Sequence, residues 1–249
     1  MKTFVVSTGR CGSTSLARWL QDNGLATEME PHAFQLCCLA YEKMRGCSWD
    51  DSVLTGLWSR MPVGGVVVDN NLSLFIEDLA AMGPCRFVWL IRNPWDCISS
   101  LMAWRWYRNP DDPESGDGFA SHRPFPIHEM HVCDWSELPL IGKCAWYWKF
   151  LNLRIEGQLT VLDENCWVRV RLEDWSPAIA RSLLRSAGSV DGVVADWRLP
   201  KMNSGPWDRD RPRWTKDEVA LVTEVAGKVL ARWYPERNFQ MPAIAASGR

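Results

Sequence analysis

Apolar residues along this chain come in short unbroken runs that alternate with segments of helical period. Thr3-Phe4-Val5-Val6-Ser7 is a β-branched and aromatic run that reads as a strand. A Gly/Ser/Thr-rich turn follows, and then Leu16, Trp19 and Leu20 recur at helical spacing until Asn23-Gly24 stops the helix. Val66-Val67-Val68 ends in Asp69-Asn70-Asn71, and the run from Phe87 to Ile91 ends in Arg92-Asn93-Pro94. Strands that are continuously apolar, rather than alternating, imply a sheet covered on both faces. Asn93 as N-cap and Pro94 at the first helical position start the next helix, with Ile98, Leu101 and Met102 as its stripe. Helical pattern resumes near Ile141, WVRVRL at 167–172 alternates as a strand, and helices are expected at 177–187 and from Lys216 to Trp233. Between these elements, prolines and glycines at 108–137 break any regular structure, and a polar Arg/Pro loop spans 200–213. No internal repeat is visible. The pattern predicts an α/β protein: one domain over 1–240 with a central, mostly parallel sheet flanked by helices, a long lid at about 104–140, and a tail at 241–249 that frays.

Composition narrows the classes. A chain of 249 residues that is 47% hydrophobic and 23% charged can bury roughly three quarters of its unfolded surface as one domain, so neither disorder nor a solvated scaffold is expected. A formal charge of -2 argues against binding nucleic acid or anionic membranes through bulk electrostatics. There is no run of about 18 apolar residues, and the apolar stretch at the N-terminus is too short for a secretory signal, so a cytoplasmic location is expected. The nine cysteines are scattered without CxxC spacing, which reads as reduced thiols rather than a disulfide framework or zinc ribbon.

The most informative chemistry lies between the first strand and first helix, in Ser7-Thr8-Gly9-Arg10-Cys11-Gly12-Ser13-Thr14-Ser15. Glycines at 9 and 12 permit a tight turn, so that N–H groups point into one concavity at a helix N-terminus, where the macrodipole also favours an anion. Arg10 adds a positive charge and Ser13, Thr14 and Ser15 add hydroxyls; phosphate or sulfate is the natural guest. The segment is not a Walker A loop, because two residues rather than four separate the glycines and no Lys precedes the Ser/Thr. Phosphoryl transfer normally relies on Mg²⁺, whereas a sulfuryl group carries less charge and is within reach of Arg and amides alone.

FVVSTGRCGSTSLARWL resembles the 5'-phosphosulfate loop of sulfotransferases, with Arg in place of the Lys of the cytosolic steroid and phenol enzymes. Arg92-Asn93-Pro94-Trp95-Asp96-Cys97-Ile98-Ser99-Ser100 is similar to the family's RNPxDxxxS signature. The resemblance implies a P-loop-like sulfotransferase fold of bacterial type and the donor 3'-phosphoadenosine 5'-phosphosulfate, with adenosine 3',5'-bisphosphate as product and no metal. It also implies that Arg92 and Ser100 hold the 3'-phosphate, while Gly9, Arg10, Cys11, Gly12, Ser13, Thr14 and Ser15 form the 5' loop. Cys144-Ala145-Trp146-Tyr147-Trp148 looks like the aromatic helix after the lid, and Val170-Arg171-Leu172-Glu173-Asp174 resembles the family strand ending in Glu-Asp. Lys201 and Asn203 sit where the family closes a C-terminal loop over the nucleotide, although the RKG signature is missing.

An alcohol attacks only as its proton is accepted, so a base is required. Thr27-Glu28-Met29-Glu30-Pro31-His32 falls where carbohydrate and tyrosylprotein sulfotransferases carry a catalytic Glu, often followed by Pro. The resemblance assigns Glu30 as the base, with His32 as the second candidate and Arg10 as the catalytic cation. Asp69 and Asn70, at the end of the second apolar run, are candidates for orienting the acceptor. Of the 16 tryptophans, Trp19, Trp89, Trp146 and Trp148 are expected in the core, and Trp95, Trp104 and Trp106 beside the acceptor's entrance.

The lid is acidic: Asp111, Asp112, Glu114, Asp117, Glu129, Asp134 and Glu137 face Arg123 as the one Lys or Arg of residues 110–137. A cationic acceptor is one expectation, and a solvated loop the other. His128, His131 and Cys133 have no fourth ligand at standard spacing, so no metal site is expected. The function implied is sulfuryl transfer to a hydroxyl or amine of a small molecule or carbohydrate, by a monomer or homodimer. Two alternatives remain at this point, a P-loop kinase-like phosphotransferase and a non-enzymatic Trp-rich carbohydrate-binding module.

Overall fold

In the computed structural model, which describes residues 1–104, 107, 138–187, 196–202 and 214–235, five strands form one sheet. They are β1 (Lys2–Val6), β2 (Thr27–Met29), β3 (Val66–Val68), β4 (Cys85–Ile91) and β5 (Trp167–Arg171). All neighbours are parallel and the order is β2-β3-β1-β4-β5. The helices are α1 (Ser13–Asp22), α2 (Ala33–Met44), α3 (Ser52–Arg60), α4 (Ile76–Ala81), α5 (Pro94–Ala103), α6 (Leu140–Leu159), α7 (Pro177–Ser186) and α8 (Lys216–Trp233). The chain divides into two units, Met1–Arg92 with Leu151–Asn203, which holds the whole sheet, and Asn93–Phe150 with Ser204–Arg249.

The expected elements form at or within a few residues of the bounds read from the pattern. β1, β3 and β4 are buried almost throughout, as continuous apolar runs require. At the sheet's edge, β5 buries Val170 and leaves Arg169 exposed, with the Arg169 guanidinium 5.5 Å from the centre of the Trp89 ring. Asn93 caps α5 by accepting from Trp95 N, and Thr215 opens α8 with a capping box to Glu218. β2, α2, α3 and α4 were not signalled by periodicity. β2 is three residues long and largely exposed, and it exists through its pairing with β3, so no local pattern marks it.

In the sheet-bearing unit the indole of Trp89 and the amide of Gln158, buried beside the core, are paired. Trp89 Nε1 donates to Asn152 Oδ1 at 3.0 Å, Gln158 Oε1 accepts from Ile76 N at 3.1 Å, and Gln158 Nε2 donates to Ser73 O at 2.8 Å. In the other unit, aromatic pairs form the core: Trp95 packs edge-on to Trp214, Trp148 edge-on to Trp233, and Trp146 stacks on Phe150. Trp19, Trp89, Trp146 and Trp148 are buried, as expected. Trp95 corrects the sequence reading: it is a core residue 4% exposed, because the first turn of α5 turns it onto Trp214, and only Trp104 of the described pair stands exposed. Trp106, the acidic residues of the lid, His128, His131 and Cys133, and the 241–249 tail lie outside the described residues. Among the described residues, no helix is long and apolar enough to cross a membrane.

Candidate functional site

A parallel sheet delivers the C-terminal ends of all its strands to one edge. The strand order reverses around β1, with β3 on one side and β4 on the other, and ligands in open α/β sheets bind at that switch point. The residues that follow β1, β2, β3 and β4 at this edge include Arg10, Glu30, Asp69 and Arg92. Four segments separated by up to 82 residues in sequence thus converge.

The loop after β1 has the backbone that its glycines foretold. Gly9, Arg10 and Gly12 have φ of 69°, 54° and 85°, all left-handed. α1 starts at Ser13 with no side chain capping it, and its first-turn N–H groups have no intrahelical acceptor. Ser7 and Ser73 clasp the loop's base: Ser7 N donates to Ser73 Oγ at 3.0 Å, and Ser73 Oγ donates to Ser7 O at 2.8 Å. Gly9 N donates to Ser7 Oγ, and Thr8 Oγ1 lies 2.9 Å from Cys11 Sγ. Cys11 is fully buried, so its thiol faces inward and its contribution at the loop surface is its backbone.

Arg92 Nη1 donates to the Arg10 carbonyl at 3.1 Å. The half-buried guanidinium is therefore fixed at the loop, an interaction that no local motif announces. Leu172, just beyond β5, closes under Gly12: a Cβ built on Gly12 would stand 3.0 Å from Leu172 Cδ2. Gly12→Ala is expected to lower stability by about 1–3 kcal/mol through backbone strain and this contact. An unchanged urea midpoint would show that the loop tolerates a side chain there.

The segment 196–202 is pinned over α1. Trp19 Nε1 donates to Asp196 O at 2.7 Å, Trp175 Nε1 to Trp197 O at 2.6 Å, and Met202 N to Ser15 Oγ at 3.3 Å. Lys201, exposed, thereby stands beside the first turn of α1, while Asn203 lies outside the described residues. Ser100 is half-buried on α5, about two turns from its start, and belongs to the other unit together with the exposed Trp104.

Glu30 directly follows β2, where its N–H continues the ladder to Val68 O at 3.0 Å, and its φ of 47° is left-handed. Although the residue is exposed, partial withdrawal of its carboxyl from water raises its pKa, and the Arg10 charge pulls it back down. His32 caps α2, with Nε2 against the Arg60 guanidinium. A guanidinium can only donate, so that nitrogen is the acceptor in this contact and its lone pair is engaged. The two candidate bases thus stand in different surroundings, the Glu30 carboxyl under the charge of Arg10 and His32 Nε2 against Arg60.

Asp69 is 1% exposed. Its Oδ1 accepts from Asn71 N at 2.8 Å, while Oδ2 is buried with no hydrogen-bond partner. Burial pushes its pKa up to about 7, the Asn71 amide opposes this, and the charge of Glu30 adds to the rise. Asn70 is half-buried and uses its carbonyl to accept from Ser73 N at 3.2 Å. Among the described residues, no group of three or more His, Cys, Asp or Glu is arranged to hold a metal ion.

No protein-family model matches the chain, and no curated protein matches it in sequence. Among solved structures, the chain is similar to a sulfotransferase from Alicyclobacillus acidocaldarius, at 15% identity over 92% of this chain and 94% of that one, with a TM-score of 0.52. It is also similar to the sulfotransferase domain from the curacin biosynthetic pathway, at 14% identity over 80% of each chain, with a TM-score of 0.46. The fold is sulfotransferase-like.

Proposed function

We propose that this protein is a sulfotransferase that moves a sulfuryl group from 3'-phosphoadenosine 5'-phosphosulfate to a hydroxyl or amine of a small-molecule or carbohydrate acceptor. The single observation that carries the reading is the loop after β1: three left-handed residues, an uncapped helix start and a guanidinium at the switch point of a parallel sheet. These features fit an anionic donor. The backbone of residues 9–12 and the hydroxyls of Ser13, Thr14 and Ser15 would hold its 5' end, Arg92 and Ser100 its 3'-phosphate, and Lys201 and Asn203 the flank of the nucleotide.

When bound, the donor supplies an activated sulfuryl group whose S–O bond to phosphate breaks as the bond to the acceptor forms. Glu30 takes the acceptor's proton, and Arg10 with the loop amides stabilises the charge on the departing phosphate oxygen. Asp69 and Asn70 bound the side of the site next to Glu30 and orient the acceptor. The sequence of the segment after α5, with Trp104, Trp106 and seven acidic residues at 110–137, carries the expectation of an acceptor with an apolar face and a positive charge, the alternative being a solvated loop. No metal, nucleic acid or membrane is part of this reading.

The experiment that tests it is thermal unfolding with ligands. Adenosine 3',5'-bisphosphate at a hundredfold excess over Kd stabilises a one-site protein by about 2.7 kcal/mol, and a raised Tm is expected here. ATP with Mg²⁺ is expected to leave Tm unchanged. The reverse result makes the protein a phosphotransferase, and sugar binding indifferent to the nucleotide makes it a carbohydrate-binding module.

A further inference from the structure

β2 and β3 end in register, with Met29 opposite Val68, so the next residue on each strand, Glu30 and Asp69, is a carboxylic acid at a neighbouring strand end, and the charge of Glu30 acts on Asp69. The two differ in surroundings. Glu30 is exposed and faces the positive charge of Arg10; Asp69 is sealed in: the backbone N–H of Asn71 donates to Oδ1, the Asn71 side chain also favours the charged form, and Oδ2 is buried without a partner. Asn71, from the turn after β3, adds a further buried oxygen without a partner, its Oδ1, and Ser7 and Ser73 beside it are neutral. Arg10 acts on Glu30, and Glu30 in turn on Asp69. A carboxylate sealed from water with one oxygen unpartnered is costly, whereas a proton on Oδ2 removes the charge and turns the unpartnered atom into a donor.

From this we infer that Asp69 is a positioning residue that acts through Glu30: the two strand-end carboxyls form a coupled pair that carries one negative charge, held on Glu30 toward Arg10, until Asp69 gives up its proton. The inference deepens the sulfotransferase reading, since it makes the strength of the base depend on the protonation of its neighbour. With Asp69 neutral, the two guanidinium groups at the loop, Arg10 and Arg92, outweigh the single negative charge of the pair, which favours an anionic donor. Ionisation of Asp69 makes Glu30 a stronger base by like-charge repulsion and weakens that field. Burial favours the proton on Asp69 and pushes its pKa up to about 7.

The test is direct titration of the full chain by carbon NMR with selectively labelled Asp, in the wild type, Asp69→Asn and Glu30→Gln. A carboxyl step near neutrality is expected in the wild type and absent in Asp69→Asn. In Glu30→Gln the same step is expected to move down by roughly half a unit or more, because one like charge is gone. A second readout is stability. Asp69 binds its proton more tightly in the folded state, so its contribution is fully present below the usual carboxylate range and is lost as pH rises to about 7. The wild type should therefore lose stability relative to Asp69→Asn, which cannot titrate, across that window; the shift of the Asp69 step in Glu30→Gln is the readout that a merely structural Asp69 would not give. Should Asp69→Asn fail to fold, Glu30→Gln at its exposed position still reports the shift. An Asp69 step in the ordinary carboxylate range, or one unmoved in Glu30→Gln, overturns the inference. Loss of adenosine 3',5'-bisphosphate binding with the coupling intact would instead count against the sulfotransferase reading alone.

Discussion

Arg10→Ala is expected to reduce sulfuryl transfer at least about a hundredfold while leaving the fold intact. A preorganised charged donor at the site of developing charge is worth about 3 kcal/mol, which is about two powers of ten in rate. The fold should survive because the contact that anchors the loop uses the Arg10 carbonyl, which accepts from Arg92 Nη1 and is retained in alanine. The left-handed backbone at this position is equally unfavourable for Arg and Ala, so strain is nearly unchanged. The measurement is transfer of labelled sulfate to an acceptor found by screening, paired with a thermal scan and titration with adenosine 3',5'-bisphosphate. Retained turnover in the folded variant would remove Arg10 from the mechanism.

Glu30→Gln is expected to lower turnover by about 10²–10⁴-fold, the usual contribution of general-base catalysis. The amide preserves the side chain's shape and the ladder bond from Glu30 N to Val68 O, so nucleotide binding and Tm should stay close to wild type. Partial burial holds the Glu30 pKa above its ordinary value against the opposing pull of Arg10, which leaves the wild-type base weakened as pH falls through that raised pKa. The low-pH limb should vanish in the variant. If Glu30→Gln turns over normally, the base lies elsewhere, and the engaged Nε2 of His32 makes a residue outside this pair the next place to look.

Most of what made these predictions possible is local. Strands β1, β3 and β4 were legible because strands buried on both faces must be apolar without interruption, and α5 because Asn93 and Pro94 are a start signal in themselves. The loop at 7–15 was legible because left-handed turns select glycine. β2 was not legible: three residues with two exposed carry no period, and their conformation is imposed by β3. The placement of Trp95 was misjudged for a related reason, since its partner Trp214 lies far along the chain.

The sequence by itself determined the α/β class, the glycine-bearing loop at 7–15 and the candidate residues one at a time, because turn chemistry and strand burial are properties of neighbouring residues. Tertiary structure decided how they combine. Parallel pairing brought the ends of β1, β2, β3 and β4 to one edge, put the Arg92 side chain on the carbonyl of Arg10, occupied the His32 ring with Arg60, and sealed Asp69 beside Glu30. Burial and the approach of distant charges arise only when separate segments meet, so the pKa of a carboxyl and the surroundings of the two candidate bases had no local signature to read.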